Sequence, residues 1–315
     1  PAILGLGAYR PAARLTNADL VARLDTSDEW IVRRTGISER RIAGPDDTLV
    51  AMGIDAGAKA LAAAGVQAAD VDLVIAASCT AQAHIPGIGP RIAAGVGASQ
   101  AGAFDLNAGC AGFCYALSMA ADAVRAGNAK RALVVASERL TDWVDSDDRG
   151  MAILFGDAAG AALVGVPETA SEAGIGPVAW GSDGTAANVI EIRQRANGQS
   201  FMEMEGSAVY RWATTQLVPV ARRACEQAGI EPSDLSAIVL HQANLRITES
   251  IARSLGAPQA ILARDIVDAG NTSAASVPLA LSRLIDEGQV GSGDRVLLFA
   301  FGAGLTYAGQ VVRLP

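Results

Sequence analysis

Aromatic residues are scarce, at 4% of 315. Alanine and glycine fill the apolar quota instead, which argues for helices packed closely on sheets and against an aromatic-lined binding surface. Lysine occurs only at Lys59 and Lys130, and the net charge is −8, so nucleic acid is disfavoured as a partner. No apolar run approaches the ~20 residues of a membrane span, and the opening residues carry no charged-then-apolar leader. The expectation is a soluble cytoplasmic protein with no membrane partner. Four cysteines without paired spacing argue against a disulfide scaffold and fit a reducing compartment. Cys110 and Cys114 lie one turn apart with no second ligand pair, so no metal site is expected. Cys79 and Cys225 read as buried and inert. His84, in a loop near Pro86, is assigned no role. The opening Gly5 and Gly7 lack the third glycine of a dinucleotide fingerprint.

What is present is a chain 50% hydrophobic, long enough for two domains or one large fold. A short helix is predicted over 17–24, capped by Thr16, followed by a polar loop over 25–36. In that loop Trp30 stands near Arg33 and Arg34. They either hold a flat, phosphate-bearing ligand or simply anchor the loop, with solvated arginines. A helix over 49–64 ends at Gly65, and residues 72–77 form a buried strand.

The stretch from Phe104 to Cys114 organises the rest. A short apolar strand ends in small residues, and the following run to Val124 is apolar at helical spacing, so Cys110 belongs at a strand-to-helix turn. Unpaired N–H groups and the macrodipole at a helix start lower a thiol's pKa from its usual ~8.5, and Gly109 and Gly112 leave room for a substrate. Read without that context, Cys110 is a buried small hydrophobe.

An internal repeat sets the architecture. Ala-Gly-Val at 64–66 and Asp70 return as Ala-Gly-Ile at 228–230 and Asp234, an offset of 164, as Ala-Leu-Ser at 116–118 returns at 280–282 and Arg131 at Arg295. The chain therefore reads as two copies of one α/β unit, divided here as 1–167 and 168–315. Phe155-Gly156 answers Phe301-Gly302 at a smaller offset of 146, which places about 18 extra residues in the first copy around Thr141–Gly150. Two related units side by side bring equivalent strand ends together. Cys110, His241 after the strand over 237–240, and Asn271 would then converge. A thiol beside an imidazole and an amide is an arrangement for nucleophilic catalysis, although His241 alone also suits a core and Asn271 alone a turn.

These residues carry a family resemblance. Asp28-Glu29-Trp30-Ile31, Arg34-Thr35-Gly36-Ile37, the turn over 108–113, Asp148-Arg149-Gly150, Phe155-Gly156-Asp157, His241-Gln242-Ala243-Asn244-Leu245-Arg246, the run over 270–276 and Phe301-Gly302 resemble β-ketoacyl-acyl-carrier-protein synthase III, a thiolase-fold condensing enzyme. The resemblance implies a duplicated five-layered αβαβα fold with two mixed sheets, a homodimer, no cofactor, and a Cys110, His241, Asn271 triad. It implies that Cys110 takes an acyl group from acyl-CoA, with the Cys110 and Ala303 N–H groups as oxyanion hole, and that His241 and Asn271 then stabilise the enolate of malonyl-acyl carrier protein. Trp30 and Arg149 would sandwich the CoA adenine, with Thr26 and Arg34 on its polar groups and Asn244 near the pantetheine. The acyl pocket would involve Ile85, Leu140, Phe155, Met204, Tyr210 and Phe301. The acidic carrier would meet Gln242, Ala243, Asn244, Leu245 and Arg246, with Arg211 beside them and Arg253 seven residues along the same helix face.

The chain departs from the family pattern at Ile85 and Tyr210, where phenylalanine is common, and at Ala303 and Leu305. A smaller gate predicts acceptance of branched or longer primers besides acetyl-CoA. A starter-unit ketosynthase or acyltransferase of a polyketide pathway is the alternative of the same fold. A non-catalytic partner subunit is disfavoured because the triad is complete.

Overall fold

The computed structural model describes residues 1–83, 85–167, 174–196 and 198–315. His84 and the segment after 167, where the two copies were divided, lie outside the described residues.

Strand Arg131–Arg139 shows why the layers form. Val134 and Ala136 face one core while Leu133 and Val135 face another, the period-2 pattern of a strand covered on both sides. The first sheet runs Ala2–Tyr9, Asp157–Gly165, Arg131–Arg139, Leu73–Ala77, Gly102–Leu106, with parallel pairs at one end and antiparallel pairs at the other. The second sheet runs Ile261–Leu262, Ala237–Leu240, Arg295–Gly302, Thr306–Arg313, with Gly174–Ile175 and Ala179–Ser182 both against Thr306–Arg313. Helices Gly112–Arg125 and Ser276–Asp286 lie between the sheets, where Phe113, Leu117, Val277 and Leu281 are buried. Helices Leu49–Ala64 and Ile88–Val96 cover the first sheet outside, and Gly206–Gln227 and Leu245–Leu255 cover the second. The result is the duplicated five-layered αβαβα fold with two mixed sheets.

The repeat offset holds in three dimensions, since Gly112 and Ser276 begin the two central helices and Arg131 and Arg295 begin the equivalent strands. The pairing of Phe155-Gly156 with Phe301-Gly302 does not hold. Phe301 and Gly302 end their strand, whereas Phe155 and Gly156 precede the next one, so the true counterpart of Gly302 at the 164 offset is Glu138. The longer connection lies where it was expected, but seventeen residues (140–156) replace three (303–305), an excess of 14 rather than 18. The opening glycines serve packing: a Cβ on Gly7 would fall 2.0 Å from the Ala56 carbonyl oxygen.

The polar stretch read as a loop over 25–36 contains a helix, Asp28–Thr35. Ser27 accepts a hydrogen bond from the Trp30 N–H, Asp28 and Glu29 occupy the first turn, Arg33 and Arg34 the last, and Gly36 closes it at φ 77°. Capping and dipole complementarity outweigh its weak apolar periodicity. No helix of the described residues is long and apolar enough to cross a membrane.

Candidate active site

The ends of strands Gly102–Leu106 and Ala237–Leu240, one from each sheet, and the turn after helix Ile266–Ala269 meet at one cavity of about 780 Å³ lined by Cys110, His241 and Asn271. Cys110 follows strand Gly102–Leu106 and immediately precedes Ala111, the N-cap of helix Gly112–Arg125. Gly302 presses against it from the second sheet, where a Cβ would lie 2.9 Å from the Cys110 sulfur. The Ser273 hydroxyl is 3.4 Å from the same sulfur. Burial pushes the thiol up to about 11, with the Glu138 carboxyl adding to the rise, and outweighs the Ser273 hydroxyl and the N–H groups of Cys110 and Ala303, which favour the thiolate. The direction is opposite to the lowering expected from the helix start, because Cys110 precedes the first turn and is buried beside Glu138.

His241 is 2% exposed, and burial pushes its imidazole down to about 3, so it is neutral at physiological pH. Its Nδ1 lies 2.7 Å from the Ser276 hydroxyl, which also accepts from the Gln242 N–H at 3.2 Å. The tautomer in which Ser276 donates to Nδ1 places the ring proton on Nε2; the other would have Nδ1 donate to the Ser276 oxygen, whose two lone pairs allow it. Asn271 Oδ1 accepts from the Ser273 N–H at 2.9 Å, which leaves the amide NH₂ as the end available to a ligand. The long connection of the first half clamps this residue: the Asn271 N–H donates to the Leu154 carbonyl at 2.8 Å, and the Gly156 N–H donates to the Asn271 carbonyl at 3.0 Å. Buried Arg40 steadies the clamp by donating to the Ile153 carbonyl from Nη2 at 2.7 Å. A nucleophile, a neutral hydrogen-bond donor and a carboxamide thus share one cavity, which suits acyl transfer.

Residues 104–184 match the family described as 3-oxoacyl-[acyl-carrier-protein (ACP)] synthase III, and residues 225–314 match its C-terminal counterpart. The β-ketoacyl-[acyl-carrier-protein] synthase III 4 of Streptomyces coelicolor is 52% identical over 313 residues, covering 99% of this chain and 98% of that protein. The chain belongs to the β-ketoacyl-acyl-carrier-protein synthase III family. It is a condensing enzyme of the acyltransferase class. Among solved structures, the priming β-ketosynthase of the R1128 polyketide pathway superposes with TM-score 0.96 at 46% identity, covering 100% of this chain and 96% of that one. The 3-oxoacyl-[acyl-carrier-protein] synthase III of Aquifex aeolicus gives TM-score 0.93 at 38% identity, covering 99% of each.

Most of the residues that the synthase III resemblance marked do reach the cavity. Leu140, Phe155, Met204, Tyr210 and Phe301 line it, as do Trp30, Arg34, Ala243, Asn244, Arg246, Arg211 and Ala303. Arg149 stands at its rim with its guanidinium 4.9 Å from the Trp30 ring centroid, and Arg34 lies at 5.0 Å from the same ring. Arg246 lies over Tyr210 at 5.3 Å. Others do not join. Ile85 is 92% exposed and lines no part of this chain's own cavity. Gln242 is buried, its amide donating to the Leu240 carbonyl and accepting from the Ile266 N–H, so it cannot meet a carrier. Leu245 packs beneath Gly36. The Thr26 hydroxyl oxygen is buried without a hydrogen-bond partner, and Arg253 is exposed on helix Leu245–Leu255, away from the cavity.

Cys79 was read as inert, yet it lines the cavity, 3.4 Å from both Ser273 Oγ and Glu138 Oε1. Glu138 escaped notice altogether. The repeat held its signal, because the 164 offset from Glu138 leads to Gly302, a residue touching Cys110. Among the described residues no cluster of three or more His, Cys, Asp or Glu is arranged to hold a metal.

Proposed function

We propose that the protein condenses an acyl-CoA primer with malonyl-acyl carrier protein, acting as a priming ketosynthase that supplies the starter unit of a polyketide pathway. The observation that carries the chemistry is the convergence of Cys110, His241 and Asn271 on one cavity. Full-length similarity to a priming β-ketosynthase favours the priming role. Initiation of fatty acid synthesis is the second reading, favoured by the curated relatives named β-ketoacyl-[acyl-carrier-protein] synthase III.

In this reading the Cys110 thiolate attacks the acyl-CoA carbonyl, and the N–H groups of Cys110 and Ala303 hold the tetrahedral oxyanion while CoA departs. Malonyl carrier follows. The His241 Nε2–H and the Asn271 NH₂ donate to its thioester carbonyl, so that loss of carbon dioxide leaves a stabilised enolate, whose carbon takes the acyl group from Cys110. A neutral imidazole suits this task, since it donates without drawing a proton into the site. Trp30, Arg34 and Arg149 at the mouth would receive the adenine and phosphates of CoA, with Asn244 along the pantetheine, although the net charge of the chain is −8. Arg246, Arg211 and Arg253 would meet the acidic carrier.

A homodimer belongs to the same proposal. Strand Gly102–Leu106 has one free edge, and its Phe104 is 38% exposed, which suits pairing with a second copy. A role for Ile85 at the acyl pocket then requires that second copy. Acceptance of longer or branched primers rests on Met202 and Met204, whose side chains adapt to shape.

The test is product analysis by mass spectrometry with a panel of acyl-CoA primers and malonyl carriers from fatty acid and polyketide systems, beside Cys110→Ala. A β-ketoacyl product formed faster on the polyketide carrier supports the priming reading. Faster turnover on the fatty acid carrier favours the second, and an acylated Cys110 with no carbon–carbon bond formed leaves a plain acyltransferase.

A further inference from the structure

Behind Cys110 lies a buried carboxyl group that the condensation steps leave unused. Glu138 is 0% exposed at the end of strand Arg131–Arg139. Its Oε2 accepts from the Thr80 hydroxyl at 2.7 Å, the Ser78 hydroxyl at 3.1 Å and the Cys79 N–H at 3.1 Å. Its Oε1 accepts from the Ser273 hydroxyl at 2.9 Å and the Cys79 thiol at 3.4 Å. A carboxyl group so placed faces no cation among the described residues, and the titratable groups set against it are Cys79 and Cys110.

Ser273 connects it to the nucleophile. Its oxygen is 2.9 Å from Glu138 and 3.4 Å from the Cys110 sulfur. A hydroxyl has one proton, which Ser273 can give to Glu138 or to the Cys110 sulfur; the shorter contact is to Glu138, and donating there leaves two lone pairs to accept from the thiols of Cys110 and Cys79, each 3.4 Å away. Ser273 also holds φ 51°, the one non-glycine residue with positive φ among the described residues, a conformation disfavoured for any side chain. His241 is no competitor for the proton, since its Nδ1 is held by Ser276 and no hydrogen bond joins it to Cys110 among the described residues.

We propose that Cys110 loses its proton through Ser273 to Glu138. The thiol proton passes to the Ser273 oxygen as the Ser273 proton passes to Glu138 Oε1, leaving a thiolate beside a neutral carboxylic acid. Attack on the acyl-CoA thioester then forms the Cys110 sulfur–carbon bond and expels CoA thiolate, which takes a proton from solvent. When the acyl group leaves, Glu138 returns its proton through Ser273 to Cys110. Burial raises the pKa of Glu138, which suits a group that must bind and release a proton. The acylation step rests on the function proposed above, but the proton transfer does not, and the test separates them.

The experiment is alkylation of Cys110 by iodoacetamide from pH 6 to 9, followed by peptide mass spectrometry so that Cys79 is counted apart, in wild type, Glu138→Gln and Ser273→Gly. No acyl-CoA is needed, so failure of the substrate reading leaves the result intact. Ser273→Gly keeps the backbone comfortable at positive φ and removes the hydroxymethyl side chain. Both variants are expected to alkylate about 10²-fold more slowly at pH 7, with the deficit shrinking as pH rises. A purely structural or electrostatic Glu138 predicts the opposite sign, because removing a negative charge beside the thiolate accelerates alkylation. Faster reaction in Glu138→Gln, or an unchanged rate in Ser273→Gly, overturns the proposal.

Discussion

The two halves of the molecule share one fold but end their penultimate strands differently. After Arg139 the first half runs through residues 140–156 before its last strand, whereas after Gly302 the second half turns back within residues 303–305. Each connection serves the other half's chemistry. The long one reaches across to hold the Asn271 backbone through Leu154 and Gly156, and the short one brings Gly302 and Ala303 against Cys110. Duplication therefore supplied two equivalent frames, and divergence at one pair of loops made each half incomplete without the other.

Breaking this reciprocity should be costly in proportion to how directly each residue meets the reacting atoms. Asn271→Ala removes a donor to the malonyl carbonyl and should lower condensation by roughly 10² to 10³. Acylation of Cys110 by acyl-CoA, followed by intact mass, should fall far less, because the backbone clamp on residue 271 uses no side-chain atom and Ser273 loses only the Asn271 Oδ1 acceptor of its N–H. Gly302→Ala attacks the other crossing. Its Cβ would meet Cys110 Cβ at 2.8 Å, so the thiol must shift, and both acylation and condensation should fall together by about 10² in steady-state assays.

The buried imidazole gives a pH test. His241 titrates near 3 in the folded protein against an ordinary value near 6.5, so the unfolded chain binds a proton that the native one does not. Stability from this group is present above about pH 6.5 and declines toward pH 3, by at most about 1.4 kcal/mol per pH unit. Urea unfolding between pH 7 and 5 should show a steeper loss in wild type than in His241→Gln; equal slopes would mean that the imidazole is hydrated. The smallest effect belongs to the rim. Arg246→Glu should raise the KM for the carrier severalfold and leave kcat almost unchanged in salt-dependent assays.

Much of this was legible in the residue order. The 164 offset locates both central helices, because a duplicated unit repeats its buried faces, and Gly65 ends a helix where a left-handed cap is needed. Cys110 and His241 were legible as polar chemistry at the ends of apolar strands, whereas Asn271 follows a short helix, Ile266–Ala269, and was legible through the family motif. Helix Asp28–Thr35 was not, since its signal lies in caps and charges rather than in an apolar stripe. Nor was the raised pKa of Cys110, because local sequence shows a helix start but not the burial to which Gly302 of the second half and Glu138 of the first contribute. Gln242 misled for the same reason: its motif suggests a docking surface, while tertiary contacts bury it, with its N–H on the Ser276 hydroxyl and its side-chain oxygen on the Ile266 N–H. Nothing in the local sequence marks Glu138 at the end of its strand; its setting comes from Ser273 of the other half.

The most direct test of the account follows one acyl group. The enzyme is mixed with acyl-CoA, its intact mass and modified peptide are read, malonyl carrier is added, and both enzyme and carrier are weighed again. The account predicts an acyl adduct on Cys110, absent from Cys110→Ala, which disappears as an equal amount of β-ketoacyl carrier appears. An adduct on Cys79, or condensation proceeding undiminished in Cys110→Ala, would contradict it.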